Sequence, residues 1–331
     1  MEEILCLGIE STAHTFGCSI ASSRDGILSD VKDVYRPPPG RGIHPRECAQ
    51  HHSQVGLKVL SEALKQANVK AEELDVIAFS GGPGLGPCLR TGATLARALA
   101  SLLRKPLVRV NHAIGHIEIA RLDTGAKDPL VVLVSGGHTV ITTYAEGRYR
   151  VYGETLDITL GNLLDVFARE AGLPSPGGPE IEQLALRGRQ VIELPYIVKG
   201  NDISYSGLLT SAIRKLKEGA ALEDLCLSLQ EYAFSMLAEA AERALAFTEK
   251  RELLLTGGVA ANRRLQEVLK IVAEEQGAKF YVVSSKYSGD CGAQIAWTGI
   301  LHYLHGDTIN IEESYVKPRW RLDEVDVPWR G

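Results

Sequence analysis

The strongest constraint on the fold is that the chain repeats one layout. Three short apolar runs separated by turns begin at Leu5, and three more begin at Leu130. Each set is followed by a helical stripe, an apolar run ending in Gly-Gly, a second helix, a last apolar run and a last helix. This periodicity predicts β-β-β-α-β-α-β-α in each half. Residues from about 155 to 220 have no counterpart in the first half, and we interpret them as an insertion in the second.

The alternation predicts an α/β fold with two mixed sheets that carry helices on both faces. We expect a first domain from residues 1–129 with 300–331, and a second from residues 130–299 with the insertion. Because α/β folds bind ligands at the carboxyl ends of strands, the two domains are expected to flank a nucleotide and metal cleft. The duplicated layout resembles that of the actin, hexokinase and Hsp70 superfamily, which binds nucleotide between its halves.

Composition limits the class of protein. Hydrophobic residues make up 45% and charged residues 23% of the 331 residues, as in ordinary globular proteins. No apolar stretch reaches the roughly 18 residues of a membrane span, and the acidic start lacks a signal peptide's basic region, so we expect a cytoplasmic protein without a membrane partner. The net charge of -5 means that RNA binding would need a local patch or partner subunits. The six cysteines form no Cys-x-x-Cys pair, so we expect free thiols that pack as small hydrophobes.

A pair of histidines suggests a metal site. His112 and His116 are one helical turn apart, directly after an apolar run, and therefore share a helix face. Asp290 follows the last strand of the second half at the equivalent position, so the repeat predicts a carboxylate across the cleft from the histidines. Two histidines and one aspartate suit an open three-ligand site for iron, zinc or another divalent ion. The alternative is a pair of buried histidines with ordinary hydrogen-bond partners.

Glycine turns in the second half suggest phosphate binding. The turn Ser135-Gly136-Gly137 can expose backbone N–H groups to an anion, although an ordinary hairpin turn is the alternative. A second turn, from Thr256 to Asn262, precedes a helix, where Asn262 can cap the helix or hold a ribose or base.

The insertion adds three weaker candidates. Asp165, set among apolar residues, is either a surface residue or a ribose acceptor. Gly178 lies in a Pro-Gly-Gly-Pro segment, and Glu182 lies on the helix that follows. The two glycines permit the close approach of a base or sugar, and an ordinary loop is the alternative.

Three rival functions are open at this stage. A metalloprotease is disfavoured because His-Glu-x-x-His needs a glutamate directly after the first histidine, where this chain has Ala113. A small-molecule kinase of the same superfold is disfavoured because such kinases hold Mg²⁺ through carboxylates and phosphates. A non-catalytic nucleotide-binding scaffold is the third alternative. His52, on the apolar face of the first long helix, is expected to have a packing role.

Seven motifs in order carry a family resemblance from about Ile4 to the tail. They are Gly8-Ile9-Glu10, Gly42-Ile43-His44-Pro45, Gly82-Pro83-Gly84-Leu85-Gly86, Asn111-His112-x-x-x-His116, Val134-Ser135-Gly136-Gly137-His138-Thr139, Asp202-Ile203-Ser204-Tyr205-Ser206-Gly207-Leu208 and Gly257-Gly258-Val259-Ala260-Ala261-Asn262. The chain resembles the tRNA threonylcarbamoyladenosine transferase subunits, and among them the archaeal and eukaryotic form of the KEOPS complex.

The resemblance implies transfer of threonylcarbamoyl from threonylcarbamoyl-AMP to the exocyclic amine of adenosine at tRNA position 37. It implies an iron or zinc ion on His112, His116 and Asp290, and an adenine nucleotide (ATP, AMP or threonylcarbamoyl-AMP). The implied nucleotide contacts are Leu133, Val134, Ser135, Gly136, Gly137, Asp165, Gly178, Glu182 and Asn262. Many archaeal relatives have a tyrosine metal ligand where this chain has Leu133, so water, phosphate or substrate is expected in the fourth position.

The implied partners are tRNAs that read codons starting with A, a small protein kinase, a small dimerising subunit and a tRNA-binding subunit. The chain has no protein-kinase signature, so the kinase is expected as a separate chain or a fused segment. Glu10 and His14, near the first turn, are candidates for moving the proton of the acceptor amine.

Overall fold

The computed structural model describes residues 2–38 and 41–330, which form two compact units. The first comprises Met1–Pro37, Gly42–Leu122 and Asp290–Gly331, and the second comprises Pro38–Arg41 and Asp123–Gly289. Met1, Pro39, Gly40 and Gly331, which the expected domain ranges include, lie outside the described residues.

The first unit is a five-stranded sheet with helices on both faces. The sheet has the order β3-β2-β1-β4-β5, with β1–β2–β3 antiparallel and β4 and β5 parallel to β1. The elements are β1 (Leu5–Glu10), β2 (Thr15–Ser22), β3 (Gly26–Val34), α1 (Pro45–Ala67), β4 (Val76–Gly82), α2 (Gly86–Leu103), β5 (Leu107–Asn111), α3 (His112–Thr124) and, after the second unit, α10 (Gly292–Leu304).

The second unit repeats this plan. Its sheet has the order β12-β11-β6-β7-β8, which matches the first sheet strand for strand. The elements are β6 (Leu130–Val134), β7 (Thr139–Ala145), β8 (Arg148–Glu154), α4 (Leu160–Glu170), α5 (Gly177–Ala185), β9 (Val198–Lys199), β10 (Asp202–Ile203), α6 (Ser206–Lys217), α7 (Leu222–Thr248), β11 (Glu252–Thr256), α8 (Arg263–Glu275), β12 (Lys279–Val282) and α9 (Ser285–Ser288). The helices α4, α5 and α6 and the short β9–β10 pair occupy the predicted insertion.

Two apolar layers enclose the first sheet. Leu7 and Ile9 of β1 belong to the layer under α1 and α2, whereas Cys6, directly before Leu7, belongs to the layer under α10. This is the period of two that a strand buried on both faces requires. The helix α1 begins at Pro45 and ends at Ala67, and the next residue, Asn68, caps it with a left-handed φ of 54°.

Glycines let α10 lie directly on the first sheet. A Cβ built on Gly8 of β1 would lie 2.1 Å from the backbone nitrogen of Ala296, and one on Gly299 would lie 2.5 Å from Cβ of Ala78. Because only hydrogen fits at these contacts, the helix belongs to the first unit. The sequence-based boundary at residue 299 therefore differs from the structure, which assigns residues 290–299 to the unit that holds the histidine pair.

Among the described residues, no helix is long and apolar enough to cross a membrane.

Candidate functional site

The pair His112 and His116 is positioned by the capped start of a helix. Asn111, the last residue of β5, accepts hydrogen bonds at Oδ1 from the backbone N–H groups of Ala113 (3.0 Å) and Ile114 (3.2 Å). An asparagine that satisfies these otherwise unpaired donors fixes where α3 begins. His112 is therefore the first residue of α3 and His116 lies one turn later, with ring centroids 4.6 Å apart at an interplanar angle of 83°.

Asp290 completes a three-ligand cluster with these histidines. Its Oδ1 lies 3.3 Å from Nε2 of His116 and 3.5 Å from Nε2 of His112. All three ligand atoms lie within 4.8 Å of one another, as donors around one divalent ion would. The predicted juxtaposition is therefore found. Its origin differs from the prediction, because Asp290 opens the last segment of the first unit and is not contributed by the second.

Glu10 is held against His112 by a network that sequence reasoning had not foreseen. Its Oε2 accepts a hydrogen bond from His112 Nδ1 at 2.9 Å, and its Oε1 accepts from both the backbone N–H (2.6 Å) and the hydroxyl (2.5 Å) of Thr12. The side-chain amide of Gln294, on α10, lies 2.9 Å from His112 Nδ1. A carboxylate on the outer ring nitrogen is the usual support of a histidine metal ligand.

The ionic environment explains the titration of these groups. Burial alone would lower the pKa of His112, but the charges of Glu10 and Asp290 and the bond to Glu10 raise it to about 9. Burial lowers the pKa of His116 despite its hydrogen bond to Asp290. The pKa of Asp290 is lowered, because the two histidines outweigh the effect of burial. The cluster thus holds a cationic His112 against two carboxylates, the kind of site that a metal ion fills by displacing a proton.

His14 lies in the same turn as Thr12 and is half-buried, and its charge contributes to the lowered pKa of Asp290. A role for Glu10 or His14 in proton transfer stays a prediction. For Glu10 the geometry indicates a positioning role, because both of its oxygens are engaged inside the protein and its side chain is fully buried.

The glycine turns of the second unit fall into two groups. Gly161, Gly177 and Gly257 are required by packing: a Cβ on Gly257, whose φ is +96°, would lie 2.3 Å from the carbonyl oxygen of Val134. By contrast, a Cβ would meet nothing within 4 Å at Gly136, Gly137 or Gly258, and only Leu164 Cδ1 at 3.8 Å at Gly178. Packing within the protein therefore does not require glycine at these four positions.

The polar candidates of the second unit are partly occupied by the protein itself. Asp165 Oδ1 accepts from the backbone N–H of Gly177 (2.8 Å), at the start of α5, and Glu182 Oε1 accepts from that of Arg263 (2.7 Å), at the start of α8. Both side chains are half-buried. Asn262 caps α8 through Leu265 N–H (3.0 Å) and donates to Gln230 (2.7 Å), so its capping role is confirmed.

The remaining predicted contacts concern strand β6 and its turn. The side chains of Leu133 and Val134 are fully buried in the sheet, and Ser135 Oγ accepts from Gly137 (3.2 Å) and His138 (3.0 Å), so that it shapes the turn. A contact between these residues and a nucleotide therefore has to come from the backbone of the turn, where Gly136 and Gly137 are exposed.

Asp157 is a structural anchor that the sequence reading missed. Its carboxylate accepts from the hydroxyls of Ser204 and Ser206 (both 2.6 Å) and from the backbone of Tyr205 (2.9 Å). Burial opposes ionisation, but these bonds and one from Ile158 N–H lower the pKa of Asp157. The Asp202–Leu208 motif is thus held in place by an acid some 50 residues earlier in the chain, a contact that no local pattern indicates.

Comparison with known proteins gives one family. The model of the TsaD family, described as tRNA N6-adenosine threonylcarbamoyltransferase, matches residues 26–297. A protein of that name from Thermofilum pendens is 58% identical over 332 residues, covering 100% of this chain and 98% of its own. One from Caldivirga maquilingensis is 54% identical, covering 98% of each.

A longer relative, a probable bifunctional tRNA threonylcarbamoyladenosine biosynthesis protein from Methanothermobacter thermautotrophicus, is 55% identical. The match covers 98% of this chain and 61% of that protein.

Solved structures agree on the fold. HypF from T. kodakarensis matches with a TM-score of 0.64 at 16% identity, over 92% of this chain and 48% of that one. Component A of (R)-2-hydroxyglutaryl-CoA dehydratase from Acidaminococcus fermentans matches with a TM-score of 0.54 at 14% identity, over 90% and 98%. At these identities the likeness concerns the fold alone, and the expected actin/hexokinase/Hsp70-like class is confirmed.

Proposed function

The chain belongs to the tRNA N6-adenosine threonylcarbamoyltransferase family, and we propose on that premise that it transfers the threonylcarbamoyl group from threonylcarbamoyl-AMP to the exocyclic amine of adenosine at tRNA position 37. The observation that carries the proposal is the cluster of His112, His116 and Asp290 with Glu10 behind it. A full-length match to transferases supplies the reaction, and the cluster supplies a site suited to it.

The chemistry requires positioning and charge stabilisation. The donor is a mixed anhydride, and the acceptor amine is a poor nucleophile because its lone pair is delocalised into the adenine ring. A divalent ion, iron or zinc, would supply Lewis acidity toward the donor's oxygens when bound by the three ligands. Glu10 would keep the His112 ring in the orientation that ligation needs.

The second unit would bind the adenylate. We propose that the open turn at Gly136 and Gly137 offers its backbone N–H groups to the phosphate, and that Gly258, just before α8, allows close approach on another side. Asp165 and Glu182, both half-buried beside the starts of α5 and α8, would accept from ribose hydroxyls. His14 is the better placed of the two candidates for proton transfer, because Glu10 is enclosed.

The partners follow from the family. We propose that the chain acts in a KEOPS-type complex with a small protein kinase, a dimerising subunit and a tRNA-binding subunit, on tRNAs that read codons starting with A. The bifunctional relative, of which this chain matches 61%, is consistent with a partner that is fused in some proteins and separate in others. A cytoplasmic location is proposed with it.

Reconstitution tests the proposal. Labelled threonine, bicarbonate, ATP, a donor-synthesising enzyme and the partner subunits are incubated with tRNA and this chain. Threonine should appear on adenosine 37 only when the chain is present. If the fully assembled system transfers label equally well with Asp290→Ala, the chain is a nucleotide-binding scaffold and not the catalyst.

A further inference from the structure

A second cluster of metal-ligating side chains lies in the first unit. Cys48 and His52 are one turn apart on α1, and Cys88 lies in the first turns of α2. All three side chains are fully buried, and their ligand atoms lie within 4.8 Å of one another. None of them belongs to the cluster of His112, His116 and Asp290.

The spacing of these atoms suits one tetrahedral ion. The Sγ of Cys48 lies 3.8 Å from Nε2 of His52. Two ligands at the usual zinc–sulfur and zinc–nitrogen distances of about 2.3 and 2.0 Å would lie about 3.5 Å apart across a tetrahedral angle. The pair therefore needs to move by only a few tenths of an ångström to share an ion.

A histidine relay orients His52 toward this point. The carboxylate of Asp33 can only accept, so Nε2 of His51, 2.9 Å away, carries a proton. In a neutral His51, Nδ1 is then unprotonated, and it faces Nδ1 of His52 at 3.3 Å. A hydrogen bond between these two atoms therefore needs the proton on Nδ1 of His52. A neutral His52 is in turn bare at Nε2.

That bare nitrogen would face an acceptor. Nε2 of His52 lies 2.9 Å from the carbonyl oxygen of Ala13 and beside the thiol of Cys48. Two lone pairs at hydrogen-bond distance repel, so a positive centre has to lie at this nitrogen or on the relay. A proton is one choice. A divalent ion is the other, and the relay gives His52 the tautomer that ligation through Nε2 needs, with a carboxylate behind it as in most histidine metal sites.

The thiols favour the ion. The thiol of Cys48 donates to the carbonyl oxygen of Ala13 at 2.9 Å, and the thiol of Cys88 donates to that of Pro45 at 3.6 Å. Binding of Zn²⁺ would release the two thiol protons, one from Cys48 and one from Cys88, and would leave two thiolates and a dication with no net charge beside a neutral His52. Charge neutrality is what a buried site requires.

We propose that Cys48, His52 and Cys88 form a second, structural metal site of the zinc class, with the Ala13 carbonyl or a water in the fourth position. The site would join α1, α2 and the turn that follows Glu10. Because Ala13 is adjacent to Thr12, whose backbone and hydroxyl bind Glu10, the ion would also fix the turn that supports His112.

Cobalt spectroscopy tests this site after the other one has been removed. The full chain carrying His112→Ala and His116→Ala is stripped of metal under reducing conditions and titrated with Co²⁺. A sulfur-to-cobalt charge-transfer band should grow to one equivalent and should bleach when Zn²⁺ is added. X-ray absorption of the zinc form should show sulfur neighbours at about 2.3 Å.

Variants make the assignment specific. In the same background, Cys48→Ser, Cys88→Ser and His52→Gln should each weaken or abolish the band, whereas Cys226→Ser, which removes a buried thiol of the second unit, should leave it unchanged. Zinc should raise the thermal midpoint of the background protein and not that of its Cys48→Ser derivative. Circular dichroism separates loss of the site from loss of the fold.

Two results would overturn the proposal. One is the absence of a charge-transfer band in a folded background protein whose thiols are all reduced. The other is a disulfide between Cys48 and Cys88 in chain purified without reductant, seen as a mass lower by two hydrogens, which would make the pair a redox couple.

Discussion

Nδ1 of His112 lies 2.9 Å from Oε2 of Glu10, and the opposite nitrogen of the same ring, Nε2, faces Asp290 at 3.5 Å. The ring is thus fixed between one carboxylate that orients it and another that can ligate with it. Glu10 closes β1, His112 opens α3, and Asp290 lies just before α10, so three elements of the first unit meet at this histidine. The metal affinity of the site should therefore depend on Glu10, although Glu10 is not one of the three ligands.

Replacing Glu10 tests this dependence. Glu10→Gln keeps the shape of the side chain but removes the negative charge that faces Nδ1 of His112. The substitution should weaken zinc binding about 10–100-fold. Chelator competition in a Cys48→Ser background measures this site alone. Glu62→Gln, an exposed change on α1, is the matched control. Equal affinity in all three proteins would mean that Glu10 does not support the ligand.

The pKa of His112 predicts how metal binding depends on pH. Zinc needs the neutral ring, and a pKa raised from 6.5 to about 9 keeps the proton bound over that interval. The affinity should therefore rise with pH until about 9, in contrast to an ordinary histidine site, which levels off above 6.5. In Glu10→Gln the plateau should move to lower pH. Competition titrations between pH 6 and about 9.5 would show both curves, and a wild-type plateau near 6.5 would contradict the account.

The two groups of glycines predict opposite phenotypes. Gly136→Ala should leave the thermal midpoint within error, because its Cβ meets nothing, yet should reduce adenine nucleotide affinity about tenfold. Gly257→Ala should destabilise the protein by about 1–3 kcal/mol, because its φ is +96° and its Cβ would lie 2.3 Å from a carbonyl. Calorimetry of unfolding and of nucleotide binding measures both. Unchanged nucleotide affinity in Gly136→Ala would remove this turn from the binding site.

Asp157 predicts a pH dependence of stability in the second unit. Its folded pKa lies below the ordinary 3.8, so its contribution is present above pH 3.8 and is lost as the pH falls through the folded value. Asp157→Asn should therefore be less stable than the wild type at neutral pH, by a modest amount because the group is exposed, and the difference should shrink in acid. Urea unfolding at neutral and acidic pH gives the comparison. A difference that grows in acid would have the wrong sign.

The succession of strands and helices in both halves could be predicted, because the local periodicity of apolar residues repeats. The meeting of His112 with Asp290 could also be predicted, but the unit to which Asp290 belongs could not. That assignment depends on Gly8 and Gly299, which let α10 pack on the first sheet, and such a contact leaves no periodic signal.

The polar networks were the least predictable part of the structure. His52 was expected to pack, and the cysteines were expected to act as small hydrophobes. Cys48 and Cys88 are 40 residues apart in the sequence and meet only because α1 and α2 lie on the same face of the sheet. The anchoring of Ser204 and Ser206 by Asp157 has the same origin, a tertiary contact that spacing does not reveal.

The most direct test of the central claim is transfer of threonylcarbamoyl from preformed threonylcarbamoyl-AMP to tRNA, with the partner subunits present. The rate is compared between the wild type and Asp290→Asn, alongside the metal content of each protein. Loss of the bound ion together with a rate at least about 100-fold lower is the predicted result. A metal-depleted Asp290→Asn protein that modifies adenosine 37 at the wild-type rate would contradict a catalytic role for this cluster.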